Sequence, residues 1–348
     1  MMGSVSSEQK GRPMRLLLSL VWFAVIVCAV PAAQVRDVTL WVTLGDSDQL
    51  VEVDPYSFTE IRRITVDPEP HGLATSADGS KVYLASEVTG NFQVVDVRTG
   101  RVSAELRLGE DPNQMTITPD GRFAYVPLRG EDQVAVVQLE PLSLVKKIPT
   151  PEGPHDSYSA VGGRFIYVGA QFGNAIAVID ADSQSLLHTV PMMDGVRPMK
   201  PFGDGRRLYA ALSNLLGFVV VDPFARRVVQ RVELGTLPEG VTPPYLDTYT
   251  HALELVKNGD ELWVTDCVND LVRIVRTEDL KEIAQIRVGH FPHWFATRDS
   301  DVLFVSLWFS DAVAAIDVNT RKVLANIQFA RGSGPKRIQI APKVTAVL

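Results

Sequence analysis

Imidazole both coordinates transition metals and moves protons near neutral pH. Four of the six histidines here, His71, His155, His251 and His293, fall at one position of a repeated unit. Asn113, Met199 and Lys336 fill that position in the other units. If the units close into a ring, all seven side chains turn toward one axis on one face. Four neutral imidazoles without a carboxylate among them would favour copper, iron or zinc over magnesium or calcium. The same ring without a metal would line a polar channel mouth or hold an organic ligand. Lys336 weighs against a metal, because its cation repels one unless it points outward. His290, in Gly289-His290-Phe291-Pro292-His293, is a candidate fifth ligand, and His188 falls on an outer strand in solvent.

A second position bears on the same mouth. Four residues beyond an aromatic that recurs in every unit stand Gly45, Glu87, Arg129, Gln171, Ser213, Cys267 and Trp308. A structural position is repeated and a binding rim is individualised, so Glu87, Arg129, Gln171 and Trp308 are candidate ligand contacts. Asp266 and Cys267 are placed to orient His251 or to join a metal shell. One unit is 12 residues longer than its neighbours, and the excess lies between Leu234 and His251. Its prolines and glycines forbid a regular element, while Tyr245, Leu246 and Tyr249 give it something to pack, so it reads as a lid over the mouth.

The elements that must position these residues are set by the repeat. Trp41, Tyr83, Tyr125, Tyr167, Tyr209, Trp263 and Phe304 follow one another at steps of 42, 42, 42, 42, 54 and 41, each inside a β-rich tetrapeptide such as Val-Tyr-Leu-Ala. A second landmark, at Asp54, Asp96, Gln138, Asp180, Asp222, Arg276 and Asp317, keeps the same register. Four short strands fit each unit, and no amphipathic helix pattern follows the leader. The expected architecture is all-β, a seven-bladed propeller of four-stranded blades. The lone strand Lys336 to Pro342 should close the ring by joining the N-terminal blade, which removes free sheet edges. Asp78, Asp120 and Asp204 precede glycine in tight turns. Asp54, Asp96, Asp180, Asp222 and Asp317 open hairpins and bond their own turn amides, so neither set is a catalytic acid pair.

The stretch Pro-His-Gly-Leu-Ala-Thr-Ser-Ala-Asp-Gly-Ser-Lys-Val-Tyr-Leu-Ala-Ser (70 to 86), with Phe-Gln-Val-Val-Asp (92 to 96), resembles the YVTN-type β-propeller repeat of exported proteins. The resemblance runs over residues 37 to 342 and implies architecture far more than activity. The Trp-Asp signature of the related intracellular forty-residue repeat is absent.

Residues 1–33 read as a signal peptide: Lys10, Arg12 and Arg15, an apolar run from Leu16 to Val30, then Pro31-Ala32-Ala33. The run is shorter than the ~20 residues a spanning helix needs, so a secreted or periplasmic protein is expected, without stable membrane insertion of the mature chain. Residues 34–348 then form one propeller domain with 31 basic and 40 acidic residues, in which Cys267 is the sole thiol and no internal disulfide can form. This acidic balance, without a Lys or Arg stripe, argues against nucleic acid. Nor is there a phosphate-cradling glycine loop, a nucleophile elbow or a paired-Cys zinc motif. The sequence thus predicts a monomeric exported scaffold that binds a small molecule, glycan or protein at the central mouth. The alternative is a metal-dependent oxidoreductase using the four histidines, and a third reading is a hydrolase or lyase with a channel histidine as base beside Glu87.

Overall fold

Within each repeat the apolar residues come in runs of five or six, bounded by Asp, Asn and Gly turns, so each run forms a strand buried on both faces. The computed structural model describes residues 38–344 apart from 161, 204, 238, 239 and 244. The leader, the Asp204 turn and the last four residues therefore lie outside the described residues. The strands assemble into seven four-stranded antiparallel sheets. Blade 2 is typical, with Pro70–Thr75 innermost, then Lys81–Ser86, Asn91–Asp96 and Arg101–Arg107. Its outer strand alternates exposed and half-buried residues, as a solvated edge requires. Three short 3-10 turns are the helical elements among the described residues.

Blade 1 combines the two ends of the chain. Pro335–Pro342 lies innermost and pairs with Val38–Leu44, which Gln49–Asp54 and Thr59–Thr65 follow outward. The expected closure strand thus gains one residue, Pro335, at its start. Pairing jumps by one residue between the third and outer strands of all seven blades, a bulge that strengthens the local twist.

Seven apolar cores lie between successive blades. The repeat aromatic contributes to them and is almost wholly buried in every blade. Truncating one such side chain to Ala would cost about 3–5 kcal/mol. Tyr125 and Tyr167 also donate to the carbonyls of Ala181 and Gly205 in the next blade, at 3.2 and 2.8 Å. The hairpin aspartates act as expected: Asp54 Oδ1, for example, accepts the Tyr56 and Ser57 amides at 2.8 and 3.0 Å.

Candidate functional site

Inner strands present their edges to the axis, so an ordinary strand residue there points toward a neighbouring blade. Bulges redirect some of them. Pairing of the inner strand passes from Pro70 to Gly72, from Pro154 to Asp156 and from Pro292 to Trp294, leaving His71, His155 and His293 as the extra residues. The unpaired side chain of a bulge is re-aimed, and here it turns to the centre. The amides beside the bulges are satisfied by hydroxyls on the second strand. Trp294 N–H donates to Ser306 Oγ at 3.0 Å, Arg337 N–H to Thr43 Oγ1 at 3.0 Å and Ala252 N–H to Thr265 Oγ1 at 2.8 Å.

The four predicted histidines meet across the axis. Ring centroids lie 6.2 Å apart for His71 and His155, 6.0 Å for His155 and His251, 6.4 Å for His71 and His293, and 3.9 Å for the stacked pair His251 and His293. These residues come from blades 2, 4, 6 and 7, so their contact marks the centre of the ring. Asn113 and Lys336 hold the equivalent positions in blades 3 and 1. Met199 does not. In blade 5 the pairing of Val196 with Leu212 makes Arg197 the equivalent residue, one 42-residue step from His155. Met199 lies two residues further on, packed in the core between blades 4 and 5.

The residue after the ring position supplies what the histidines lack. Arg337 Nη2 donates to His71 Nε2 at 2.8 Å and to Asp156 Oδ1 at 2.9 Å, with its guanidinium 3.8 Å from the centre of the Trp294 ring. Arg337 and Asp156 are both fully buried. Asp156 Oδ2 also lies 3.1 Å from His155 Nδ1, and Glu87 Oε1 lies 3.1 Å from His71 Nδ1. Both contacts are close in distance but off the line of the ring N–H, and neither Nδ1 has a directed hydrogen bond. His251 Nδ1–H donates to the carbonyl of His293 at 2.8 Å, and His293 Nδ1–H to that of Lys336 at 3.0 Å. A carbonyl can only accept, which fixes the proton on Nδ1 in both rings.

These partners keep the cluster neutral. Burial is the main force pushing the His71, His251 and His293 imidazoles well below their ordinary value, and the positive charge of Arg337 adds to it. Burial also lowers His155, against the pull of Asp156. Burial opposes ionisation of Asp156, but His155 and Arg337 beside it hold that carboxyl far below the usual range. Among the described residues, no group of three or more His, Cys, Asp or Glu side chains is arranged to hold a metal ion. Two features explain this: Arg337 uses the His71 lone pair and puts a cation at the centre, and His251 and His293 stack instead of converging on a point.

The predicted rim residues surround this cluster. Glu87 Oε1 accepts from Asn113 Nδ2 at 2.7 Å and Arg129 Nη2 at 3.2 Å, and Arg129 Nε also binds Asp111 at 2.7 Å. Gln171 is almost fully buried, and its Oε1 has no partner. Trp308 packs its ring 5.3 Å from His293, donates from Nε1 to Asp46 at 3.0 Å and carries Lys336 Nζ 4.8 Å from its ring centre. The Lys336 stem crosses Gly45, where a Cβ would lie 2.6 Å from it, so a side chain at residue 45 would displace the lysine.

Three candidates sit elsewhere. His290 is on the surface, paired with Asp270 at 2.9 Å. Asp266 binds Arg273 at 2.7 Å rather than His251, and the Cys267 thiol donates to the Pro292 carbonyl at 3.2 Å in a buried setting that pushes its pKa up. His188 is on its outer strand but only half in solvent, because its Nε2 contacts the Pro223 carbonyl at 2.8 Å.

The described end of the extra segment, Tyr245 and Leu246, lies at the mouth. Tyr245 packs 5.0 Å from Trp308 of blade 7 and lies within electrostatic reach of Arg129 of blade 3. The Leu246 carbonyl accepts from Arg197 Nη2, while the Leu246 side chain, expected to pack, is 51% exposed. Arg197 is 2% exposed and has Ser213 Oγ at 3.1 Å as its other partner, with no carboxylate in ion-pair range among the described residues. Below the Arg337 plug, a cavity of about 310 Å³ opens on the opposite face, lined by Tyr158, Lys200, Glu254, Trp294, Thr297 and Gln339 among others.

Sequence reasoning missed Arg197, Asp156, Trp294 and Arg337. The 42-residue step pointed to Arg197. The other three stand one residue beyond the ring position, where Gly72, Gln114, Asp156, Pro198, Ala252, Trp294 and Arg337 differ in every blade.

Comparison with known proteins adds to this geometry. The family profile described as "Lactonase, 7-bladed beta-propeller" matches residues 70–193, which span blades 2 to 4. No curated protein sequence matches the chain. Among solved structures, hydrazine synthase of Kuenenia stuttgartiensis is 17% identical, with a TM-score of 0.70 over 80% of this chain and 92% of its own. A putative 6-phosphogluconolactonase from Bacteroides fragilis is 15% identical, with a TM-score of 0.72 over 89% and 99%. A functionally unknown protein from Desulfotomaculum acetoxidans is 14% identical, with a TM-score of 0.72 over 87% and 98%. At these identities the likeness is one of fold, and the fold is a seven-bladed β-propeller.

Proposed function

We propose that the mouth beside Tyr245 binds a small organic anion, carried by a carboxylate or a comparable oxygen group. One observation carries this reading: Arg197 is buried at the ring with no carboxylate within ion-pair distance among the described residues, Asp247 and Asp156 acting on it only from further away. A buried charge without a counter-ion is costly, and an anionic ligand would supply the missing partner. The unsatisfied Oε1 of Gln171 adds an acceptor for a ligand hydroxyl, while Arg129 is already paired with Asp111 and Glu87. Of the small-molecule, glycan and protein alternatives, the small molecule is best supported, because a cation only 2% exposed is reached by a small group and not by a protein or glycan surface. The leader supports export, so the ligand would be met outside the cytoplasm by a monomer. Isothermal titration against short carboxylates and hydroxy acids tests the reading. Binding that Arg197→Gln weakens at least tenfold would support it, and no heat from any anion at millimolar concentration would refute it.

A second reading is favoured by His155. It alone of the four has a carboxylate at Nδ1 and, among the described residues, no hydrogen-bond partner at Nε2. A neutral imidazole so oriented is a general base. The "Lactonase" profile covers this pair, which supports opening of a cyclic ester. Water would give its proton to His155 Nε2 while its oxygen attacks the acyl carbon. The ring C–O bond then breaks, and the proton passes to the leaving alkoxide, giving a hydroxy acid. Its carboxylate is the type of anion that Arg197 would hold. Loss of lactone hydrolysis in His155→Gln, with retained hydroxy-acid binding, would support this reading over binding alone.

A further inference from the structure

The turns that surround the mouth carry apolar side chains facing solvent. Val88 is 62% exposed, Phe172 53%, Leu246 51% and Phe309 41%. Each directly follows a residue of the mouth: Glu87, Gln171, Tyr245 and Trp308 respectively. Turns between antiparallel strands ordinarily take Gly, Asn, Asp or Ser, and the matching turns of blades 1, 3 and 5 do so, with Asp46, Gly130 and Asn214, while blade 6 has the half-buried Val268. On the opposite face the exposed hairpin aromatics are shielded. Tyr56 has the Arg298 guanidinium 4.6 Å from its ring centre and Phe224 has Arg206 at 5.8 Å. The mouth aromatics instead form a path outward. His293 packs on Trp308 at 5.3 Å and Trp308 on Phe309 at 5.0 Å, so polar centre and apolar rim are continuous.

Resting on the anion reading above, we infer that the ligand is an amphiphile: its anionic head enters the mouth beside Arg197, and its apolar chain lies across the rim formed by Val88, Phe172, Leu246 and Phe309. Arg197, the central cation without an ion-pair partner among the described residues, selects the head by charge, and the rim removes the chain from water. The apolar side chains already stand outside the mouth, while the head would displace the Leu246 carbonyl that bonds Arg197 Nη2. The occupant is a single amphiphile molecule in solution, since the head must reach an arginine only 2% exposed, which a bilayer surface would not touch.

Titration calorimetry with propionate, hexanoate and decanoate, each below its micellar concentration, tests the assignment. A methylene buried fully tightens binding about fourfold, and one half-buried about twofold. Decanoate should therefore bind roughly 15- to 250-fold more tightly than hexanoate. Phe172→Ser combined with Phe309→Ser should bring that ratio close to one while leaving propionate binding unchanged. If no carboxylate binds at any length, the anion reading fails and this one with it. If hexanoate binds and decanoate binds no more tightly, or the double variant keeps the full chain-length dependence, only the amphiphile assignment is overturned. Decyltrimethylammonium binding as tightly as decanoate would also overturn it, as would wild-type adsorption to neutral phosphatidylcholine vesicles that the double variant loses.

Discussion

Mild acid should destabilise this protein through three imidazoles at its centre. In the unfolded chain a histidine takes up its proton near pH 6.5. Folded His71, His251 and His293 do so only at much lower pH, because burial and the Arg337 cation oppose the charge. As the pH falls, the unfolded state therefore binds protons that the folded state refuses, and stability present above about pH 6.5 is lost progressively toward the depressed folded values. One unit below the unfolded value, each such histidine costs about 1.4 kcal/mol, so the three together cost about 4 kcal/mol. That is a large part of the 5–15 kcal/mol that typically holds a domain together. Carboxylates remain ionised over the same interval, which isolates the imidazoles. Urea unfolding followed by tryptophan fluorescence at about pH 7.5, 6.5 and 5.5 reads the loss directly. Replacing His251 and His293 with Gln together should remove about half to two-thirds of the slope, the rest belonging to His71 and, in smaller part, His155. Equal stability at the two extremes would mean that the rings accept protons while folded, and the neutral-cluster argument would be wrong.

Arg337→Met should cost about 3–5 kcal/mol, because it strands the buried Asp156 carboxylate. Adding Asp156→Leu should recover much of that, and a double variant as unstable as the single one would show the ion pair to be incidental. Deleting residues 335–348 should abolish cooperative unfolding or solubility, since it removes the innermost strand of blade 1 and opens an edge; a truncated chain that melts like the full one would contradict closure. Zinc or copper added to metal-free protein should leave its melting temperature within about 2 °C, and stoichiometric metal in protein from its native compartment would restore the four-histidine centre as a metal site. N-terminal sequencing of the exported chain should begin near Gln34 or Val35, and retention of Leu16 to Val30 would mean an anchor.

What the sequence could and could not reveal follows from how locally each feature is encoded. A blade repeats its turn aspartates and its buried aromatic at a fixed step, because every blade packs against a copy of itself, so the architecture and the closing strand were readable from one chain. The histidine ring was readable for the same reason. Its chemistry was not, because that depends on which residues closure brings together. Arg337 lies 266 residues from His71 and 181 from Asp156, yet touches both. No spacing rule connects them. The error at Met199 has a similar origin. Blade 5 lacks the proline that precedes the ring residue in blades 1, 2, 3, 4 and 7, so Arg197 was passed over although the 42-residue step leads to it and its bulge carries the same single extra residue.

The bulge ties fold to function in this molecule. Regular inner strands would send every side chain into the cores between blades, and the axis would be lined by backbone edges. A single extra residue at the start of a strand frees one side chain, and the residue beside it is then free to differ from blade to blade. Hydroxyls at Thr43, Thr265 and Ser306 take up the amides that the extra residue would otherwise strand. Seven near-identical blades can in this way present seven different groups at one centre. The ring residues and their neighbours, not the cores, are therefore where substitutions should change what is bound while leaving the propeller intact. The exception is the pair Arg337 and Asp156, whose buried charges serve both roles, so their loss should appear first as instability.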